Sequence, residues 1–303
     1  MEEKKISGTI KVYGCPAEEG GSGKVYMVRE GLFNNVDAVI HWHPGNQNET
    51  IMTSFIANKS AKFKFYGISS HAAMSPENGR SSLDAVEAMN NMANMMREHI
   101  PSATRIHYVI TNGGKAPNVV PDFAEVFYYV RHPSRAYVAS IWDRLQKAAQ
   151  GAALATGTTV EEEVIGGVHE LLPNDVLAEV MHKNLTTIGG VKYTPEELKY
   201  AEEISKTEGM GIRELASAAH VQSLGGSLLS SASTDVGDVS WTVPTVGFTT
   251  ATWVPGTPAH SWQAVAAGGM SIGRKGMMIA AKTLAITAID LFQNEKIIEA
   301  IAS

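Results

Sequence analysis

Cysteine is almost missing from this sequence, which contains a single one, Cys15. A chain with one cysteine cannot form an internal disulfide framework, and such cysteine usage is typical of a reducing cytoplasm. We therefore expect a cytoplasmic protein in which Cys15 is a small buried thiol.

Excess positive charge is missing as well. The sequence has 31 Asp and Glu residues against 25 Lys and Arg residues, for a net charge of −6 at pH 7. A mildly acidic chain of this kind lacks the basic surface that attracts nucleic acid or an anionic membrane. We expect neither nucleic acid nor a membrane as a partner.

Long uninterrupted hydrophobic runs are also missing. The charged start, Met1-Glu2-Glu3-Lys4-Lys5, is followed by no apolar core and does not predict a signal peptide. The most apolar long segment, 277–292, is interrupted by Lys282 and Asp290, and its helical spacing predicts an amphipathic core helix. With 44% hydrophobic residues, the 303-residue chain has enough apolar material for one or two domains.

The order of the predicted elements indicates an α/β protein with an inserted domain. Segments 1–52 and 169–303 alternate strand-like and helical patterns, which predicts one mixed-sheet domain built from both. Segment 53–168 predicts the order β-α-β-β-α-β, the ferredoxin-like arrangement, with two helices covering one face of an antiparallel sheet.

Two adjacent carboxylates, Glu18 and Glu19, lie between a predicted strand at 8–13 and a predicted helix at 24–33. Loops at the carboxyl ends of strands are where open α/β sheets bind ligands. Adjacent loop residues point in different directions, so one carboxylate can bind a metal ion while the other faces a water bound to it. The alternative is an ordinary solvated acidic turn.

Histidines follow two later strands. His43 ends the predicted strand at 37–43, and His260 lies in the loop after the predicted strand at 245–252. Neutral imidazole is a common metal ligand. Each is equally compatible with a hydrogen-bonded histidine at a strand end or in a loop. His41, on the same face of its strand as His43, is the weaker metal candidate.

The run Pro16-Ala17-Glu18-Glu19-Gly20-Gly21 resembles the signature of the M20 metallopeptidase and amidohydrolase family, in the branch of aminoacylases and hippurate hydrolases. The resemblance implies that Glu18 is the general base of a two-metal centre of zinc or manganese. The ligands it implies are Glu19, His43 and His260. It also implies hydrolysis of a small-molecule amide: an N-acyl amino acid, an aryl-amide conjugate of glutamate, or a small dipeptide.

Three runs of segment 53–168 resemble the lid motifs of this family, around His71, Asn118 and Arg131. The resemblance makes this segment a lid and dimerisation domain, and makes 1–52 and 169–303 the catalytic domain. In the family the equivalent His and Asn reach the substrate, the His commonly from the partner subunit. The Arg either binds a substrate carboxylate or supports the lid. Spacing alone fits a surface-loop His71 and a turn-forming Asn118 equally well.

The run Ser233-Thr234-Asp235-Val236-Gly237-Asp238 resembles a further motif of the branch. Many relatives have Glu where this chain has Thr234. Asp235 is expected to act behind the metal ligands, either by holding its loop or by orienting a ligand histidine.

One feature departs from the family pattern. Relatives carry about a hundred more residues before the signature, a usual domain size, with a His-x-Asp or Cys-x-His motif that supplies the remaining metal ligands. Nothing comparable precedes Gly14. The mixed-sheet catalytic domain would then be incomplete, with an unpaired edge.

Three explanations are open for this departure. The sequence is a truncated version of a longer protein, which we favour, or the missing part comes from a separate chain, or the protein is catalytically silent. Two functions follow. One is an M20-type amidohydrolase that forms a homodimer or a hetero-oligomer with a paralogous subunit. The other is a truncated or non-catalytic subunit that dimerises with a complete paralogue.

Overall fold

A computed structural model describes residues 6–52, 54–225 and 232–302 of the chain. The helices are α1 (Gly23–Arg29), α2 (Ser82–Met96), α3 (Arg135–Thr156), α4 (Asp175–Ile188), α5 (Pro195–Ile204), α6 (Val236–Ser240), α7 (Trp262–Gly268), α8 (Ser271–Gln293) and α9 (Glu295–Ile301). The strands are β1 (Val39–Gly45), β2 (Glu49–Ile51), β3 (Ala57–Tyr66), β4 (Arg105–Asn112), β5 (Phe123–His132), β6 (Thr159–Val168) and β7 (Thr245–Ala251).

The first sheet has three strands in the order β1-β7-β2 and is mixed. β1 runs parallel to β7, and β2 runs antiparallel to it. The central strand β7 is almost entirely buried, with Phe248 fully enclosed, as expected for a strand covered on both faces. Side chains of α4, α8 and α9 form the core beneath it. The predicted α/β fold with a mixed sheet is confirmed.

The second sheet has four strands in the order β4-β5-β3-β6, and every neighbouring pair is antiparallel. The chain order is β3-α2-β4-β5-α3-β6, which is the β-α-β-β-α-β order that the sequence predicts. In β5, every second residue is buried, because α2 and α3 cover only one face of the sheet. Phe63, Tyr128 and Trp142 are the largest side chains of this core.

Helix ends follow local capping chemistry. The side chains of Ser81 and Asn174 accept backbone N–H groups at the first turns of α2 and α4. Thr194 and Glu197 form a reciprocal capping box at the start of α5. Gly157 ends α3 in the left-handed region, at φ 67°, where a side chain would be strained.

The strand predicted at 8–13 is wrong. Residues 6–17 form no strand, and Ile10 and Val12 are 60% and 91% exposed. A strand needs a neighbour for its backbone hydrogen bonds, and no described strand lies beside this segment. Tyr13 anchors it instead, packing on Phe33 and donating to the Leu32 carbonyl at 2.7 Å.

Cys15 lies on this surface segment, so the expectation of a buried thiol is also wrong. Its side chain is exposed, and its Sγ atom lies 3.6 Å from the Tyr13 carbonyl oxygen.

Within the described residues, α8 is the one helix long and apolar enough to suit a membrane span, with 23 residues and a mean hydropathy of 1.2. Core helices of globular proteins meet the same criteria. One face of α8 packs small and apolar side chains against α4 and β7, including Ile272, Gly276 and Ala280.

Replacing Leu145 with Ala should destabilise the second sheet's core by about 2–5 kcal/mol, because the fully buried side chain leaves a cavity. Urea unfolding measures the change in the free energy of unfolding. Leu154→Ala on the same helix is the matched control. Its side chain is 86% exposed, so its change should stay within about 0.5 kcal/mol. Equal losses in both variants would contradict the packing of α3.

Candidate functional site

The Glu18–Glu19 loop is a compact turn that leads into α1. The Gly21 N–H closes it by donating to the Ala17 carbonyl at 2.9 Å, and Ala17 and Ser22 both have positive φ values. Gly23 is required at the start of α1, because a Cβ atom there would lie 2.1 Å from the Pro16 carbonyl oxygen. This geometry turns the two carboxylates toward different partners.

Glu18 is half-buried and faces the segment before α6. The Thr234 hydroxyl donates to Glu18 Oε1 over 2.9 Å. The same hydroxyl oxygen accepts the Val236 N–H at 3.4 Å, so its own proton is left for the carboxylate. One oxygen of Glu18 is thereby fixed by a neutral donor.

Asp235 ties the same two segments together. It is 1% exposed and accepts hydrogen bonds from the backbone N–H and the ammonium group of Lys24, both at 2.9 Å. Its described partners are both on Lys24, and none is a histidine. Of the two expected roles, these contacts match that of holding the loop.

Glu19 points to the solvent side and meets His260. Glu19 Oε2 lies 3.8 Å from His260 Nε2, and the side chains are 72% and 74% exposed. Two ligands on one tetrahedral zinc ion lie about 3.4 Å apart, given ligand distances of about 2.1 Å. The separation is therefore close to that of a shared ion, and the loop holding His260 achieves it with a positive φ of 57°.

The two histidines of β1 differ in environment. His43 is exposed, and its Nδ1 lies 2.6 Å from the Pro44 carbonyl oxygen. His41 packs against Gly247 of β7, and its Nε2 is buried without a partner among the described residues. Burial, with the charges of Lys24 and then His43, lowers the pKa of His41 to about 4. A neutral, unpartnered buried imidazole nitrogen is the chemistry expected of a metal ligand.

Across residues 6–52, 54–225 and 232–302, no three His, Cys, Asp or Glu side chains converge into a group that could hold a metal ion. The structure brings Glu19 and His260 together and leaves His43 apart from them. The three-ligand set of Glu19, His43 and His260 therefore stays a prediction.

His71 and Asn118 come together on two loops at the same end of the second sheet. The Ala72 N–H donates to the Asn118 carbonyl at 3.0 Å, and His71 forms a bridge with Val119. His71 Nδ1 accepts the Ala73 and Met74 N–H groups, each at 3.2 Å, so the neutral ring carries its proton on Nε2. His71 thus presents a fixed N–H donor to solvent.

Arg131 links the second sheet to the segment before Asp235. Its Nη1 donates to Ser233 Oγ over 3.2 Å, and its guanidinium lies over the Tyr129 ring at 5.4 Å from the centroid. Sequence reasoning missed Lys24 and Thr234 as partners in this site. Thr234 stands in a run singled out for Asp235, but no local pattern pairs a hydroxyl with a carboxylate so distant in the chain.

Known proteins share these features. The sequence pattern of the M20 peptidase dimerisation domain matches residues 57–156. A p-aminobenzoyl-glutamate hydrolase subunit of Escherichia coli (strain K12) is 41% identical, with 99% of this chain and 67% of the relative covered. The Xaa-Arg dipeptidase of Mus musculus is 30% identical, with 96% of this chain and 61% of the relative covered.

A solved structure shares the fold. The aminobenzoyl-glutamate utilization protein of Klebsiella pneumoniae matches with a TM-score of 0.64 and 20% identity, covering 91% of this chain and 60% of that protein. The chain therefore spans between 60% and 67% of the length of these three proteins.

Replacing Asp235 with Ala should cost about 3 kcal/mol or more, because it leaves the Lys24 ammonium group without its partner in a largely buried setting. Chemical unfolding measures the loss. The matched control is Asp143→Ala, which breaks an exposed pair with Lys147 and should cost at most about 1 kcal/mol. Similar losses in the two variants would contradict the role of Asp235 as a buried tie.

Proposed function

The chain belongs to the M20 peptidase family, and from that premise we propose that it hydrolyses a small-molecule amide with a divalent metal ion. The observation that carries the proposal is the divergence of the two adjacent carboxylates. Glu18 is held by Thr234, and Glu19 lies 3.8 Å from His260. A held carboxylate beside a separate metal-binding pair is the arrangement that metal-assisted hydrolysis requires.

The proposed substrates share one amide type. The names of the relatives refer to p-aminobenzoyl-glutamate, to Xaa-Arg dipeptides and to indole-3-acetyl-aspartic acid. In each, an acyl group is joined to the nitrogen of an amino acid. We assign the same class to this chain: N-acyl amino acids, aryl-amide conjugates of glutamate, and small dipeptides. p-Aminobenzoyl-glutamate is the first substrate to test, because the relative named for its hydrolysis is 41% identical.

Glu19, His260 and a histidine of β1 would hold the zinc or manganese ion. When bound, such an ion lowers the pKa of a coordinated water to about 7 and polarises the amide carbonyl. His43 is the histidine that the family resemblance assigns. The buried, unpartnered Nε2 of His41 makes His41 the better-supported ligand on structural grounds.

Glu18 is assigned the proton transfers. It accepts a proton from the attacking water and delivers it to the leaving amine nitrogen, which makes the amine a better leaving group. The Thr234 hydroxyl occupies Oε1, so Oε2, with no described partner, is the oxygen free to exchange the proton. His71 Nε2–H and the Asn118 side chain are assigned to the carbonyl oxygen, where donors stabilise the developing negative charge.

Completion of this site requires a second polypeptide. Among the described hydrogen bonds and ion pairs, none joins His71 or Asn118 to the Glu18–Glu19 loop. We assign these two residues to the active site of a neighbouring protomer, either a second copy or a paralogous chain. The matched dimerisation-domain pattern at 57–156 supports an assembly through the second sheet and its helices.

A non-catalytic subunit is the second candidate function. One observation favours it: no group of three metal-binding side chains forms within the described residues. In this case, the chain pairs with a complete paralogue that supplies the chemistry. Hydrolysis by the purified chain alone would refute this candidate. Hydrolysis only after addition of a complete paralogous hydrolase chain would support it.

Replacing Glu18 with Gln should lower kcat for p-aminobenzoyl-glutamate by about 10²–10⁴-fold, because the amide cannot accept the proton. Release of p-aminobenzoate measures the rate, and metal content by mass spectrometry should equal that of the wild type. Glu30→Gln, an exposed carboxylate at the end of α1, is the matched control and should keep full activity. An active Glu18→Gln enzyme would remove the proposed base.

Metal binding tests the ligands without any activity assay. After loading with zinc or manganese and dialysis, Glu19→Ala and His260→Ala should each lose most of the bound metal. His41→Ala should lose it as well, and His43→Ala should retain it. His220→Ala, an exposed histidine elsewhere, is the control. Loss in His43→Ala alone would return the ligand role to His43, and unchanged metal in all four variants would refute the site.

A further inference from the structure

We propose that Thr234 and Arg131 are positioning residues for Glu18, acting through the segment 232–238. Thr234 holds the carboxylate directly, and Arg131 holds the adjacent Ser233 from the second sheet. The position of the second sheet is thereby coupled to the geometry of the proposed base. The catalytic consequence rests on the proposed function, whereas the mechanical coupling does not.

Thr234 is suited to orient Glu18 because its hydrogen bonds have a defined direction. The Val236 N–H points at Oγ1, and the hydroxyl proton points at Glu18 Oε1 over 2.9 Å. Glu18 itself lies in a turn flanked by two residues with positive φ, Ala17 and Ser22. Such backbone conformations persist only where surrounding contacts fix them. The Thr234 hydroxyl is the one described side-chain contact that Glu18 makes.

Arg131 restrains the same segment from outside. It lies near the end of β5, in register with Arg105 of β4 and Asn58 of β3. Its guanidinium rests on the Tyr129 ring and donates to Ser233 Oγ at 3.2 Å. Because Ser233 and Thr234 are adjacent, a displacement of β5 shifts the hydroxyl that holds Glu18.

The segment 232–238 also contacts both chain connections between the two sheets. The Ile56 N–H, just before β3, donates to the Ala232 carbonyl at 3.0 Å. The His169 N–H, just after β6, donates to Asp238 Oδ2 at 3.0 Å. Any change in the angle between the sheets therefore acts on this segment.

Close packing makes this junction stiff. A Cβ atom at Gly237 would lie 2.1 Å from the His169 carbonyl oxygen, so only glycine allows the observed approach. The two connections also bind each other, since the Leu171 N–H donates to the Phe55 carbonyl at 3.0 Å. A stiff junction transmits a displacement instead of absorbing it.

Arg131 has a competing role, that of a substrate-carboxylate ligand, and the two roles differ in kinetics. Loss of a ligand for a constant part of the substrate raises KM with little change in kcat. Loss of a positioning contact lowers kcat with little change in KM, because the base is misplaced in the transition state.

Steady-state kinetics with p-aminobenzoyl-glutamate test the catalytic half. Thr234→Val, which keeps the shape and removes the hydroxyl, should lower kcat about tenfold with KM within about twofold. Thr234→Ser should restore most of the rate. Arg131→Gln should lower kcat in the same way. Thr242→Val and Arg105→Gln are the controls, because their side chains bond only to nearby backbone carbonyls.

Two kinetic results would overturn the proposal. A raised KM with unchanged kcat in Arg131→Gln would make Arg131 a substrate ligand. A Thr234→Ser enzyme as slow as Thr234→Val would remove the hydroxyl from the argument.

Hydrogen exchange tests the mechanical half without any activity. Gly21, Lys24 and Val25 have bonded amides beside Glu18. Arg131→Gln and Thr234→Val should each speed exchange in peptides covering 17–25, and Arg105→Gln should not. Unchanged exchange in Arg131→Gln refutes the coupling, even in an active enzyme. An inactive wild-type chain with the expected exchange refutes the proposed function and leaves the coupling intact.

Discussion

Asp235 joins two parts of the chain that are far apart in sequence. Its buried carboxylate accepts from both the backbone N–H and the ammonium group of Lys24, 211 positions earlier. A buried carboxylate is strongly unfavourable unless partners replace its lost water, so this contact fixes the start of α1 against the start of α6. The Glu18–Glu19 loop precedes α1 directly, and its place relative to Thr234 follows from that tie.

Local patterns predicted the second sheet well, and the reason lies in its packing. α3 and β5 each bury one face, so α3 shows helical spacing and β5 strict alternation within a short window. The family resemblance also placed Glu18, Glu19 and His260 in one loop region. The structure adds that the carboxylates diverge as adjacent loop residues should.

The failures of sequence reasoning all involve partners outside the local window. The segment 8–13 has strand composition, yet no described strand lies beside it, so alternation alone did not produce a strand. His41 and His43 share a face of β1, and only the packing of His41 against Gly247 distinguishes a buried nitrogen from an exposed one. Thr234 and Lys24 entered the site through contacts that no spacing rule describes.

Glu18 and Glu19 differ in how firmly they are held, and that difference separates their roles. A proton-transferring carboxylate works only within a narrow range of positions, so a fixed hydroxyl partner is favourable for Glu18. A metal ligand instead needs access for the ion, which suits the exposed side chains of Glu19 and His260. A catalytic zinc site takes three protein ligands, and these two supply a pair. The third must come from the β1 histidines or from outside the described residues, and the orphaned Nε2 of His41 is the nitrogen within this chain that gains most by supplying it.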